Sequence, residues 1–278
     1  MSNFNEQEYL KVNRDVAAAV ARGEFESGWS HYELYGKTEG RLTSLEEYNA
    51  KFRWQTKRST IARHSNIWSW LSERANRPDV SVLEIGSRSV ASDCSWKTYV
   101  PECDYTGFDV MQGRNVDVVG DAHRLSEYFQ DKKFDFILSF AVFEHIALPW
   151  LVSEEISKLL KDGGITAHET TFSYSEHELP WHFFQFNNNT LENLFCPEMG
   201  FELIDSGLDN PIDGVFAHDA DEYLAGTHVP DLYCHSAIIA KMNRASARET
   251  FSWVDVSDRI SKSTMYPEKS GRYGHKQE

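Results

Sequence analysis

Apolar residues come in short bursts along this chain. The first telling one is Val80-Ser81-Val82-Leu83-Glu84-Ile85, stopped by Gly86. A burst of that length ending in glycine predicts a buried strand followed by a tight turn. Similar bursts predict strands at 105–110, 116–119, 134–140, 165–170, 201–206 and 234–240. Between the fourth and fifth of these, Leu151, Val152, Ile156, Leu159 and Leu160 recur at helical spacing. Pro149 stands near the start and Gly163-Gly164 at the stop, so the pattern predicts a helix over 151–160. Strands spaced by helices predict an α/β fold with a mostly parallel sheet and right-handed crossovers.

The pattern differs on either side of this run. In 6–20, Tyr9, Leu10, Val12, Val16 and Val20 follow a helical period broken near Asn13-Arg14-Asp15, and a second helix is expected over 27–35, stopped by Gly36. Residues 46–78 predict one more helix, with Ile61, Ile67, Trp68, Trp70 and Leu71 near one face and Arg77-Pro78 at its end. Pro211, Gly214, Gly226 and Pro230 interrupt any period in 207–233, which reads as a loop-rich excursion. From Arg244 the chain turns polar, and Lys262 to Glu278 carries little that packs; its end is expected to be mobile or ordered by a partner. The organisation expected is a helical cap or docking unit over 1–45, a main domain over 46–243 and a polar tail over 244–278.

Composition adds limits. The 278 residues are 41% hydrophobic, enough for one large α/β domain with a small appendage. A net charge of −15 argues against nucleic acid as partner, because neutralising phosphates takes clustered Lys and Arg. Cys94, Cys103, Cys196 and Cys234 have no metal-ligand or disulfide spacing and suit a reducing, cytoplasmic setting. The first residues show no secretion signal, and no apolar run is long enough for a membrane span.

The chemistry collects where the strands end. The turn at Gly86-Ser87 lets a ligand approach the main chain. Asp109, followed by Val110, closes the next strand, about 20 residues on, where a carboxylate accepts ribose hydroxyls. Gly120-Asp121-Ala122 follows the third strand, and the Asp121 carboxylate is placed to accept from an adenine amino group. Phe134 to Ser139, then Ala141-Val142-Phe143-Glu144-His145, mark the fourth.

Val82-Leu83-Glu84-Ile85-Gly86, Asp109, Gly120-Asp121-Ala122, 134–139 and Leu160-Lys161-Asp162-Gly163-Gly164, in that order, resemble the motif set of class I S-adenosylmethionine-dependent methyltransferases over 79–205. The resemblance implies a Rossmann-like seven-stranded sheet and a cofactor, S-adenosylmethionine, along Glu84, Gly86, Ser87, Asp109, Val110, Asp121, Ala122 and Ser139. One departure stands out: the family's Gly-x-Gly is Gly86-Ser87-Arg88 here, with Arg88 either a subfamily variation or a side chain crowding the methionine end. The missing glycines at Arg88 and Ala91 also disfavour a nicotinamide-dependent oxidoreductase. A third class, a non-catalytic scaffold on the methyltransferase fold, stays open, though retention of the acidic series argues against it.

The stretch after the fifth strand is rich in side chains: Phe172-Ser173-Tyr174-Ser175-Glu176-His177-Glu178-Leu179-Pro180-Trp181-His182-Phe183-Phe184. Its His-x-x-Pro-Trp-x-Phe order resembles methyltransferases of bacterial glycan assembly, and Tyr9-Leu10, Asn13, Asp15-Val16, His31-Tyr32, Gly36 and Glu39-Gly40-Arg41 resemble a helical motif appended to bacterial polysaccharide proteins. These resemblances imply O-methylation of a sugar or glycan, with a glycan-assembly protein as partner for 1–45. Glu144, Trp181, His182 and Phe184 are the expected acceptor contacts, aromatic faces against sugar C–H surfaces. An alcohol needs a base, and His145 or His177 is the candidate. Glu144-His145 also resembles the Glu-x-x-Glu-His motif of metal-assisted methyltransferases, where a divalent ion is bound. Ala141 replaces the first glutamate, so no metal ligands are assigned.

Overall fold

The computed structural model describes residues 4–52, 58–89 and 95–263. Cys94, Ala91 and the tail beyond 263 lie outside them. The chain divides into two compact units, Met1–Lys57 with Pro211–Tyr233, and Arg58–Asn210 with Cys234–Glu278. The excursion 211–233 thus clusters with the N-terminal residues, and the first unit reaches further than 45.

The smaller unit holds helices α1 (Glu6–Val12), α2 (Arg14–Ala21), α3 (Gly28–His31), α4 (Lys37–Glu39) and α5 (Leu45–Phe52), with a hairpin pairing Gly214–Val215 and His228–Val229. The break between α1 and α2 falls at Asn13, whose amide donates to the carbonyls of Tyr9 and Leu42 at 2.8 and 2.9 Å. Tyr9 is fully buried, and its hydroxyl meets His31 Nδ1 at 2.9 Å. Glu6 caps α3, accepting from the N–H groups of Gly28 and Trp29. Gly36 does not stop the helix as its sequence predicts. A wide turn over Tyr32–Gly36 carries the chain on into α4, and position 36 is glycine because a side chain there would collide with the Tyr9 hydroxyl. The stop comes at Gly40, in the left-handed region at φ 64°, after which Arg41 pairs with Asp15 at 2.8 Å. The residues of the N-terminal motif are therefore the ones that hold this unit together.

The larger unit opens with α6 (His64–Ala75) and continues through β1 (Ser81–Ile85), β2 (Asp104–Asp109), β3 (Val118–Val119), β4 (Phe134–Phe140), α7 (Pro149–Leu159), β5 (Leu160–Thr171), α8 (Asn188–Leu194), β6 (Phe201–Pro211), β7 (Tyr233–Met242) and α9 (Trp253–Ser263). The sheet order is β3-β2-β1-β4-β5-β7-β6. β1 pairs in parallel with β2 and β4, β2 with β3 and β4 with β5, while β7 runs antiparallel to β5. This is the seven-stranded, mostly parallel Rossmann-like sheet that the motif order implies. All five residues of β1 are buried, which is why it reads as a continuous apolar run.

One core layer lies under α7 to α9, with Leu83, Ile85, Phe108, Phe134, Phe143 and Ile156 among its members. The other packs α6 through Ile67, Leu71 and Ala75 against Val82, Phe136 and Leu138. Two boundaries differ from expectation. Leu160 to Gly164 joins β5 rather than ending the helix in a loop, with a register shift between Phe134 and Phe136 taking up the irregularity. Residues 245–263 are no loose tail: α9 buries Val256 in the core, and Trp253 Nε1 donates to Glu154 at 2.6 Å.

Candidate functional site

Strand order reverses direction between β1 and β4. Open α/β sheets bind ligands in the crevice outside the carboxyl ends of such a pair. Gly86 caps β1 at φ 75°, and a Cβ there would collide with the Val142 side chain. Its N–H and that of Ser87 both donate to the Phe108 carbonyl, at 2.8 and 3.1 Å. The Ser87 hydroxyl donates to the Asn115 carbonyl at 3.0 Å, so it fixes the turn.

Asp109 ends β2 and is buried. Its carboxylate accepts from the Arg88 N–H at 3.2 Å and the Met111 N–H at 2.9 Å, with Arg88 Nε 3.6 Å away. Two N–H groups aim this carboxylate while each oxygen keeps a lone pair for a further donor. Arg88 lies along Asp109 and Gly113, at the ribose end of the expected pose. Val110 and Met111 next to it are exposed apolar side chains. Asp121 accepts from the N–H and Nδ1 of His123, at 2.9 and 2.6 Å. Partial burial would raise its carboxyl, but these donors outweigh it and hold Asp121 below the ordinary range. His123 Nε2 in turn accepts from the Leu148 N–H, which ties the loops after β3 and β4 together. Ala122 is half-buried against the core.

Two expected cofactor residues sit elsewhere. Ser139 is fully buried and its hydroxyl bonds His168 Nδ1 at 2.7 Å; His168 Nε2 meets Thr166 Oγ1 at 2.6 Å. Burial pushes His168 down to about 3, so it is a neutral structural group. Glu84 is buried in mid-strand, accepting from the Tyr105 hydroxyl at 2.5 Å. Burial raises its carboxyl to about 7, against the pull of Tyr105 and Lys97. The two-residue alternation along β1 and β4 turns these side chains from the strand ends into the layers.

Glu144 is corrected too: rather than facing an acceptor, it is wholly buried. Oε2 accepts from the Thr170 hydroxyl at 2.6 Å, and its carbonyl accepts from the N–H groups of Phe183 and Phe184. It thereby anchors the segment after β5. That anchoring draws His145, His177 and His182 together: ring centroids lie 4.8 Å apart for His145 and His177, 5.7 Å for His145 and His182, and 4.7 Å for His177 and His182. Around them Tyr174, Trp181, Phe183 and Phe184 are exposed, Trp181 by 65%. Ala141, where β4 turns into this region, holds the left-handed φ of 54°, an uncommon geometry for a residue with a side chain.

Sequence reasoning missed a further pair. His64 Nδ1 bonds Glu169 Oε1 at 2.8 Å near the carboxyl end of β5, and stacks on His235. The Glu169 hydrogen bond, partly offset by burial, raises the imidazole. Backbone N–H groups of Thr60, Ile61 and Ala62 donate to Asp205 and that of His64 to Asp209, which positions the ring. A signal existed: His168-Glu169-Thr170-Thr171 puts four polar residues in succession in a strand that the pattern buries.

Residues 83–167 match the model of a family described as a methyltransferase domain. With the sheet order, this stretch is the core of a class I S-adenosylmethionine-dependent methyltransferase fold. Among solved structures, the YcgJ protein of Bacillus subtilis is 16% identical, with a TM-score of 0.46 over 65% of this chain and 99% of its own. The N-methyltransferase NodS of Bradyrhizobium japonicum, solved with S-adenosylhomocysteine, is 14% identical, with a TM-score of 0.42 over 64% of this chain and 85% of its own. The Burkholderia thailandensis 1,6-didemethyltoxoflavin-N1-methyltransferase is 17% identical, with a TM-score of 0.43 over 64% and 76%. No curated protein matches the sequence. No helix among the described residues is long and apolar enough to cross a membrane.

Proposed function

We propose that this protein transfers a methyl group from S-adenosylmethionine to a hydroxyl of a sugar or glycan. The observation that carries the cofactor half is Asp109, a carboxylate aimed by two N–H groups beside a glycine turn that has no room for a side chain. Gly86, Ser87, Asp109, Val110, Asp121 and Ala122 are the residues that would hold the cofactor, which supplies an activated methyl on sulfonium. What this chain must add is alignment of the acceptor and removal of its proton.

The acceptor half rests on 172–186. Exposed Trp181 and Phe184 offer ring faces for sugar C–H surfaces beside imidazoles that bind hydroxyls. His145 Nδ1 bonds the Trp181 carbonyl at 2.9 Å and His177 Nδ1 the Ser175 carbonyl at 3.0 Å. A carbonyl only accepts, so in the neutral ring the proton sits on Nδ1, and Nε2 keeps the lone pair a base needs. A second candidate base is His64, favoured by its carboxylate partner Glu169. Residues 1–45 are proposed to dock a glycan-assembly protein, with Trp29, Leu34 and Tyr35 exposed on that unit.

Calorimetric titration with S-adenosylhomocysteine is the first test, and one-to-one binding is expected. Asp109→Ala should weaken it about 10–100-fold, the worth of charge-assisted hydrogen bonds. Labelled methyl transfer to nucleotide sugars, oligosaccharides and lipid-linked glycans tests the acceptor. Cofactor binding without transfer to any of them would overturn the glycan assignment; no binding by the folded protein would bring the scaffold forward.

A further inference from the structure

We propose that His145, His177 and His182 form a binding site for one divalent transition-metal ion of the zinc class. The site rests on the reading above only for its use, which is to hold oxygens of a hydroxylated acceptor; ion binding itself stands on the geometry. With the ion bound, the Nε2 lone pairs of His145 and His177 are taken up, and the base is the second candidate, His64.

One ring nitrogen from each histidine lies within 4.8 Å of the other two. Zinc–imidazole bonds of about 2.0–2.1 Å in a tetrahedron put ligand nitrogens roughly 3.4 Å apart. The set must therefore contract by at most about 1.4 Å, and two of its members stand on a half-exposed segment joined to β5. The tautomers of two rings suit an ion. His145 and His177 each give Nδ1–H to a main-chain carbonyl, which is the usual outer support of a metal-bound imidazole and leaves Nε2 bare.

His182 supplies an independent observation. Its Nε2 is buried with no hydrogen-bond partner, and its Nδ1 receives the His177 N–H over a long 3.4 Å. For Nε2 to take a cation, the long bond at Nδ1 gives way and the ring proton moves from Nε2 to Nδ1, which leaves the Nε2 lone pair for the ion. Three neutral imidazoles select zinc, nickel, cobalt or iron over magnesium and calcium, which prefer oxygen. Three ligands also leave coordination positions open, as in catalytic rather than structural sites. This is not the set that the Glu144-His145 motif suggests: Glu144 is turned to Thr170, and Ala141 carries no ligand.

The test uses the full-length chain without a polyhistidine tag, stripped with a chelator and titrated with zinc chloride, with magnesium chloride as comparison. One zinc per chain is expected, with ring NMR signals of His145, His177 and His182 shifting and those of His64 and His168 staying still. His145→Gln, His177→Gln and His182→Gln should each weaken zinc binding by at least about 10-fold. Cobalt(II) should give the visible absorption of a tetrahedral or five-coordinate site. No stoichiometric zinc binding, binding equal to that of the triple variant, or shifts confined to other histidines would overturn the proposal. Neither cofactor nor acceptor enters this titration, so a failure to methylate glycans leaves the metal result intact, and transfer that survives without zinc binding sinks the metal alone.

Discussion

Gly86 carries two constraints at once: a left-handed backbone and contact with Val142. The first costs an alanine about 1–2 kcal/mol, and forcing a methyl into the packed layer about 1–3 kcal/mol more. Gly86→Ala should therefore lose about 2–5 kcal/mol in denaturant unfolding. Combining it with Val142→Ala in a double-mutant cycle should recover the packing part and leave the backbone part. Glu84 makes a prediction of opposite flavour. Its folded carboxyl sits near 7 against 4.5 ordinarily, so folding takes up a proton between those values. Stability should fall as pH rises from about 4.5 to 7, by about 3 kcal/mol at 1.36 kcal/mol per unit. Glu84→Gln keeps an acceptor for Tyr105 and should flatten that slope, which urea melts across pH would read. Single residues also show the limit of sequence reading. Gly86 and Asp109 were legible because backbone geometry and a strand-end carboxylate are local properties. The inward turn of Ser139 and Glu144 was not, because it depends on Thr170 and His168 across a neighbouring strand.

Elements with uniform patterns were read well, and those whose worth lies in a few contacts were not. β4 appears over the span its apolar run predicts, and α7 within a residue or two of its own. α9 escaped because one buried valine, one indole and one guanidinium do its work in an otherwise polar sequence: Arg259 bonds Glu198 at 2.6 Å and Asn193 at 3.0 Å. Burying a valine is worth about 1.5–3 kcal/mol. Val256→Asp should destabilise the larger unit by at least that much, because it also buries a charge, and the thermal midpoint should drop. A loose tail would show no change. The histidine triad was half legible: His145, His177 and His182 were each marked, but their convergence needed the Glu144 carbonyl to hold 183 and 184 in place.

At the scale of the whole molecule, the parallel order and the acidic series fixed the larger unit from sequence. The full extent of the smaller unit is not visible in the sequence because its second piece arrives after more than 150 residues, and no local period announces that return. β6 and β7 are neighbours in the sheet, and the excursion leaves one and re-enters the other, its ends held by the Ile212 N–H donating to the Leu232 carbonyl at 2.8 Å. Replacing 213–231 with a short turn should thus leave S-adenosylhomocysteine affinity unchanged in calorimetry. Limited proteolysis should then cut the N-terminal residues faster, since α5 loses the Asp231 N–H that donates to Phe52. That gap between adjacent strands works as a socket: a sheet with its two rims already side by side accepts a foreign passage or does without one, so the passage can be lengthened, exchanged or withdrawn while the strands on either side keep their register.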